Sequence, residues 1–208
     1  MMSGVDQNLV EASKLHLGCF DQPIRGWVNT DITPHIWVAR VPDLAALLFR
    51  LGKITQQRFE QHKKGLFRNV SYLDVRKPFP YKHDTFDAVF SSHLLEHLYP
   101  RESEVFVEEI HRALKPGGTC RLVIPDLDKL VAGYDPNDTQ PFLKRVFQSD
   151  GRSKNSHHWH YNFASSRRLL KSKNFRETHQ CAYPEGACPD LEFLDNRPDE
   201  SLFVEATK

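Results

Sequence analysis

The sequence predicts an α/β fold: a doubly wound, mostly parallel seven-stranded sheet that closes on an antiparallel C-terminal edge. Three observations predict it. Residues 86–92 and 120–126, FDAVFSS and CRLVIPD, are apolar runs flanking an amphipathic block that ends in KPGG. That is the strand–helix–strand order of a parallel βαβ unit, whose strands are buried on both faces. Polar residues stand where the strands stop: Asp74, Ser91 to His93, and Asp126. In open parallel sheets, ligands bind outside the carboxyl ends of the strands. Finally, the chain closes on two adjacent strand-like segments, 179–183 and 201–207, with no long helix between them.

The elements follow in order. Residues 14–19, KLHLGC, read as a first strand broken at Gly18, and residues 28–32, VNTDI, as a second that ends on Asp31. The link between them is turn-rich and leaves room for little or no helix. In residues 41–64, Leu44, Leu47, Leu48 and Leu51 fall at helical spacing. Pro42 suits the helix start and Asp43 its positive first turn, while Gly52 splits the block in two. Residues 70–75 form a third strand. Residues 101–115 form a helix with Val105, Phe106, Ile110, Ala113 and Leu114 on one face, and Gly117-Gly118 is expected to end it. Residues 127–165 read as a polar loop, and 165–175 as a helix capped by Ser165 or Ser166.

Composition narrows the function classes. At 208 residues with a formal net charge of +1, one domain is expected, and bulk-charge binding to nucleic acid or a membrane surface is not. The basic pairs Lys63-Lys64 and Arg167-Arg168 read as solvated surface. The opening residues hold no apolar core of signal-peptide length, and no run reaches a membrane span, so a cytoplasmic protein is expected. Cys181 and Cys188 are close enough in sequence to bridge, but free thiols are the expectation for all four cysteines.

A glycine at the end of the first strand and acids at the ends of the second and third suit a nucleotide-like ligand. The glycine lets backbone approach closely, and a strand-end carboxylate accepts ribose hydroxyls. KLHLGCFDQPIRGWVNTDI, FDAVFSSHLLEHL, LKPGG and SLFVEA together resemble the class I S-adenosylmethionine-dependent methyltransferases. The nearest branch is the small methyltransferase-11-like type linked to sugar and glycan substrates. The resemblance spans 14–126, with a weaker match beyond 159. It implies a Rossmann-like methyltransferase fold with a cofactor-binding core (14–126), a substrate-side lid (127–165) and a C-terminal helix and hairpin (166–208).

The resemblance implies S-adenosyl-L-methionine as cofactor. Gly18 and Cys19 would lie beside its methionine part, Asp31 would hold the ribose, Asp74 and the Val75 backbone would face the adenine, and His93 would sit near the methyl group. It also implies a small-molecule acceptor, a sugar or glycan-precursor hydroxyl, and a place in polysaccharide biosynthesis. Each residue has a plainer reading: Asp31 as a turn former, Asp74 as a surface acid, Glu96 as a helix-start carboxylate, His97 as a packing histidine. Phe20 stands where the family usually has a second glycine. Phenylalanine resists positive φ, and its ring is expected in the cofactor's space. That supports an alternative, a catalytically degenerate scaffold with the same fold.

On the substrate side, methyl transfer to oxygen needs a base. His93, Asp126 and His158, the last in SHHWHYN (156–162), are the candidates. His157 and His160 with Asp126 leave open a divalent metal. The helices of 41–64 offer a surface for a homodimer.

Overall fold

The computed structural model describes residues 13–148 and 156–208; the opening residues read above for a targeting signal lie largely outside them. Seven strands form a mixed sheet. Contacts divide the chain between Asp74 and Val75 into two compact units, a boundary the expectation of one domain with a break after 126 did not include.

In the N-terminal unit three short parallel strands lie in the order β3-β2-β1: β1 Lys14–Leu17, β2 Val28–Asp31 and β3 Val70–Tyr72. Leu15 pairs with Val28, and Asn29 with Val70. Parallel neighbours need a crossover, usually a helix. Here the crossover is a loop, and the buried Asn29 side chain organises it. Its oxygen accepts from the Ile24 amide at 2.9 Å, and its nitrogen donates to the carbonyls of Ile24 (2.9 Å) and Trp27 (3.0 Å). Three helices follow β2. The turn α1, His35–Val38, has no counterpart in the sequence reading; α2, Leu44–Arg50, and α3, Gln56–Lys63, are separated at Gly52 as expected. The leucine stripe of α2 does not form a core: Leu47 and Leu51 are exposed and no residue of α2 is fully buried. Its contact with α3 is a flat stack of Phe49 on Phe59, 4.7 Å between centroids.

In the C-terminal unit the order is β4-β5-β7-β6, with β4 Phe86–Ser92, β5 Leu114–Pro125, β6 Glu177–Cys181 and β7 Ser201–Thr207. β4 and β5 are parallel, while β7 runs antiparallel to both β5 and β6, which makes the expected antiparallel edge. The crossover helix α4, Pro100–Ala113, buries Phe106, Val107, Ile110 and Ala113; Val105, placed on that face by the sequence reading, is exposed. Pro100 opens the helix, and Glu102 reaches back to the Tyr99 amide at 2.9 Å.

LKPGG does not cap α4. The helix ends at Ala113, and residues 115–118 bulge out of β5, so that Phe86 pairs with Leu114 but Ala88 with Thr119. Gly118 is required there: a Cβ would lie 2.9 Å from the Lys115 carbonyl oxygen and 3.1 Å from that of Asp87. The region expected as a loop holds two helices, α5 Leu127–Ala132 and α6 Gln140–Phe147. The next helix, α7 Phe163–Ser172, starts earlier than expected. Asn162 is its cap, and Ser165, proposed as a cap, is instead the reciprocal third residue of the capping box. A short helix α8, Leu191–Leu194, lies between β6 and β7.

Arg121, in the middle of β5, is wholly buried and paired with Asp195, whose carboxylate is also buried. All four cysteines are free. Among the described residues no helix is long and apolar enough to cross a membrane.

Two predictions follow from buried charge. Removing one partner of a buried ion pair strands the other, so Asp195→Ala should destabilise the protein by about 3–5 kcal/mol in chemical denaturation. In the N-terminal unit, burial lowers the pKa of His16 from 6.5 to about 4, with a hydrogen bond to Asn29 opposing the shift. Between those values the unfolded chain binds a proton that the native chain does not, so stability rises with pH across that window. Acidification from pH 6.5 to about 4 should therefore cost ~3 kcal/mol on this account alone. His16→Gln should make the loss correspondingly shallower.

Candidate functional site

Each unit brings chemistry-bearing side chains to the carboxyl ends of its strands. In the N-terminal unit β1 stops at Gly18, whose φ of 71° carries the chain out of the strand, and Cys19 stays tied to β2 through its amide and the Thr30 carbonyl, 3.0 Å. Phe20 then takes φ 46°, the left-handed conformation expected to exclude it. The compensation is visible. The Phe20 amide donates to Asp31 Oδ2 at 3.1 Å, and its ring lies 4.2 Å beneath the Arg58 guanidinium and 6.1 Å from the Phe67 ring. The ring is thus engaged by α3 and the segment after it. Arg58 and Gln61 of α3 also clamp Asp21, from Arg58 at 2.9 Å.

Asp31 terminates β2. Its Oδ1 accepts from the Thr33 amide at 2.7 Å and its Oδ2 from Phe20. Partial burial raises its pKa, with the Thr33 and Phe20 amides opposing that shift. Asp31 is therefore a turn former whose carboxylate is also oriented. Cys19 is buried, and desolvation, with the nearby Asp31 charge, pushes its thiol pKa up, so it is no nucleophile. Asp74 and Val75 are both buried, which removes the reading of Asp74 as a surface acid.

In the C-terminal unit the end of β4 is strained. His93 has φ 48°, held by its amide on the Val123 carbonyl at 2.8 Å. Its imidazole Nε2 is hydrogen-bonded to Ser201 Oγ at 3.1 Å, while Nδ1 lies 3.3 Å from Glu96 Oε1 without making a hydrogen bond to it. Glu96 is 1 % exposed, in a single 3-10 turn, Leu95–His97. It is not the solvated helix-start carboxylate of the sequence reading. His157 is buried with Nε2 3.8 Å from the same Glu96 oxygen. Desolvation lowers its pKa to about 4, against the pull of Glu96.

Two expected site residues make other contacts. His158 is exposed and stacks flat on Tyr99, 4.2 Å between centroids; its neighbour His157 occupies the buried position. Asp126 caps α5, its Oδ1 accepting from the Asp128 amide at 3.0 Å, a structural role. His160 Nε2 bonds the Val146 carbonyl at 2.6 Å, and the potential metal ligands that cluster are Glu96, His97 and His157, not the pair 157/160 with Asp126. His93 and His157 line a cavity of about 190 Å³, with Lys144, Arg145, Arg197 and Glu200 on its wall.

The fold recurs in known proteins. The methyltransferase domain model matches residues 50–122, about a third of the chain, which includes Asp74, His93 and LKPGG but not Gly18 or Asp31. Solved structures resemble nearly the whole chain. An S-adenosylmethionine-dependent methyltransferase from Mesorhizobium loti aligns at TM-score 0.53 and 18% identity, over 96% of this chain and 92% of that one. A SAM-dependent methyltransferase from Thermotoga maritima, described as a possible histamine N-methyltransferase, aligns at 0.54 and 14%, over 94% and 81%. The phosphoethanolamine N-methyltransferase 2 of Haemonchus contortus, in complex with S-adenosyl-L-methionine, aligns at 0.53 and 15%, over 94% of this chain and 48% of its own.

This is the Rossmann-like methyltransferase fold. In the N-terminal unit Gly18 and Asp31 stand at the carboxyl ends of β1 and β2, and in the C-terminal unit His93 stands just past the end of β4.

Asp31→Ala removes the acceptor for two amides. It should lower the stability of the ligand-free protein by about 1–3 kcal/mol in urea denaturation.

Proposed function

We propose that the protein is an S-adenosylmethionine-dependent methyltransferase acting on a small molecule, with a hydroxyl of a sugar or glycan precursor as acceptor. Asp31 carries the reading. It is a carboxylate at the carboxyl end of β2, oriented by two backbone amides, on a fold where an acid at that place accepts ribose hydroxyls. Gly18 and Cys19 are assigned to the methionine part, and Asp74 with the Val75 backbone to the adenine. The matched methyltransferase domain and the methyltransferases that share the fold support the reaction class. Phe20, the basis of the scaffold alternative, takes the left-handed backbone with its ring on Arg58, and we read it as compatible with a bound cofactor.

When bound, the cofactor supplies an electrophilic sulfonium methyl, so the chain's task is to align an acceptor and remove one proton. Alignment is the larger contribution. His93 lines the cavity and is held between Ser201 and Glu96, so it is the assigned base. Asp126 and His158 are not assigned to proton transfer. The wall cations Lys144, Arg145 and Arg197 outnumber Glu200, which pairs with Arg197 at 3.4 Å. They favour an acceptor that carries a phosphate or carboxylate as well as the hydroxyl.

Calorimetric titration with S-adenosylmethionine and S-adenosylhomocysteine tests the cofactor assignment. Micromolar binding is expected, and it should be lost in Asp31→Ala at a temperature where that variant is folded. A folded wild-type protein that binds neither compound refutes the reading. In an acceptor screen led by sugar phosphates, His93→Gln should lower kcat by about 10²-fold or more while cofactor affinity is kept.

A further inference from the structure

Glu96 presents an unsolved charge problem. Its side chain is 1 % exposed, and neither carboxylate oxygen accepts a hydrogen bond from the described residues. Its ion-pair partners among the described residues are two imidazoles, His93 and His157. A buried carboxylate without a cation or donors costs several kcal/mol, so such groups are paired or bind metal.

The surroundings suit a cation. Glu96, His97 and His157 each offer a ligand atom, all within 4.8 Å of one another. His157 Nδ1 is buried without a hydrogen-bond partner, and Nε2 faces Glu96. His97 has its Nδ1 3.2 Å from the Ser156 carbonyl oxygen. That contact makes Nδ1 the protonated nitrogen and leaves the Nε2 lone pair free, the second-shell pattern of metal-binding histidines. The segment carrying His157 is pinned to the same turn, with the amides of His158 and Trp159 on the Glu96 carbonyl at 2.7 and 3.2 Å.

We infer that Glu96, His97 and His157 form a binding site for a divalent transition-metal ion of the zinc type. Two imidazoles and one carboxylate are a zinc donor set with a fourth position left open. Ligands at roughly 2.0–2.2 Å from the ion require the donors to draw in by about an ångström, within reach of side-chain rotation. His157 also lines the cavity, which gives an exogenous oxygen ligand a route to the ion. Hard Mg²⁺ prefers an oxygen cage and is not expected to compete. The site does not depend on the methyl-transfer reading.

The test uses tag-free, chelator-stripped protein titrated with Zn²⁺ against a chromophoric indicator. One equivalent should bind, raise the melting temperature, and resist excess Mg²⁺. Glu96→Gln and His157→Gln should weaken binding by about 100-fold or more, while His179→Gln, an exposed histidine elsewhere, should not. Co²⁺ should give visible d–d bands without the charge-transfer absorption of a cysteine site. Should a variant fail to fold, imidazole NMR of the wild type decides: zinc should perturb the ring nitrogens of His97 and His157. A stripped, folded wild type that takes up no zinc, undiminished binding in both variants, or perturbation of other histidines alone would each overturn the site.

Discussion

A guanidinium enclosed in the middle of a strand has to be neutralised, and much of the chain after residue 181 is arranged to do so. Arg121 lies at the centre of β5 with no exposure. Asp195 takes its Nε and Nη2, the carbonyls of Glu185 and Ala182 take Nη1 and Nη2, and Glu205 lies 3.6 Å from Nη1. Glu205 in turn accepts the amides of Ala187 and Cys188 at 2.8 and 3.0 Å. Such a network adds little net stability compared with an apolar core, but it tolerates few alternative arrangements, because any other leaves a charge stranded. It thereby fixes the path between β6 and β7.

That path reaches the strand end where the chemistry lies. Immediately after Asp195, Asn196 donates to Ser92 Oγ at 2.9 Å, and at the start of β7 Ser201 meets His93. His93 needs such support. A left-handed backbone at a non-glycine residue costs on the order of 1–3 kcal/mol and persists only where neighbours over-determine it. The β5 carbonyl of Val123, the Ser201 hydroxyl and the Glu96 carboxylate supply that determination. Phe20 in the other unit follows the same logic: its strained backbone is held by Asp31 and its ring by Arg58.

Legibility in the sequence followed burial. β4 and β7 read correctly to the residue because strands enclosed on both faces are uninterrupted apolar runs. α5 and α6 were missed because they are six and eight residues long, shorter than the window over which apolar periodicity decides for a helix. LKPGG looked like a helix end, since a bulge and a cap demand the same glycine conformation and differ only in which strand pairs beyond. Gly18, Asp31 and His93 could be placed at strand ends because topology places strand ends. Glu96 was not legible, because its meaning depends on His157 sixty-one residues later, and nothing local in SHHWHYN tells which histidine turns inward.

The chain contains its own comparison for the histidine cluster. In the N-terminal unit His35 Nδ1 and His62 Nε2 lie 2.9 Å apart, and both rings pack on Phe67. One donates and the other accepts, so the pair is satisfied only when that shared proton is the sole one between them. Desolvation lowers both pKa values, as a neutral pair requires. Around Glu96 the same residue type meets a buried carboxylate, and the count does not close: the oxygens lack donors, and His157 keeps a nitrogen without a partner. Histidine clustering alone is thus uninformative in this protein. The carboxylate distinguishes a packed pair from a group of side chains whose bonding is completed by something the polypeptide does not provide.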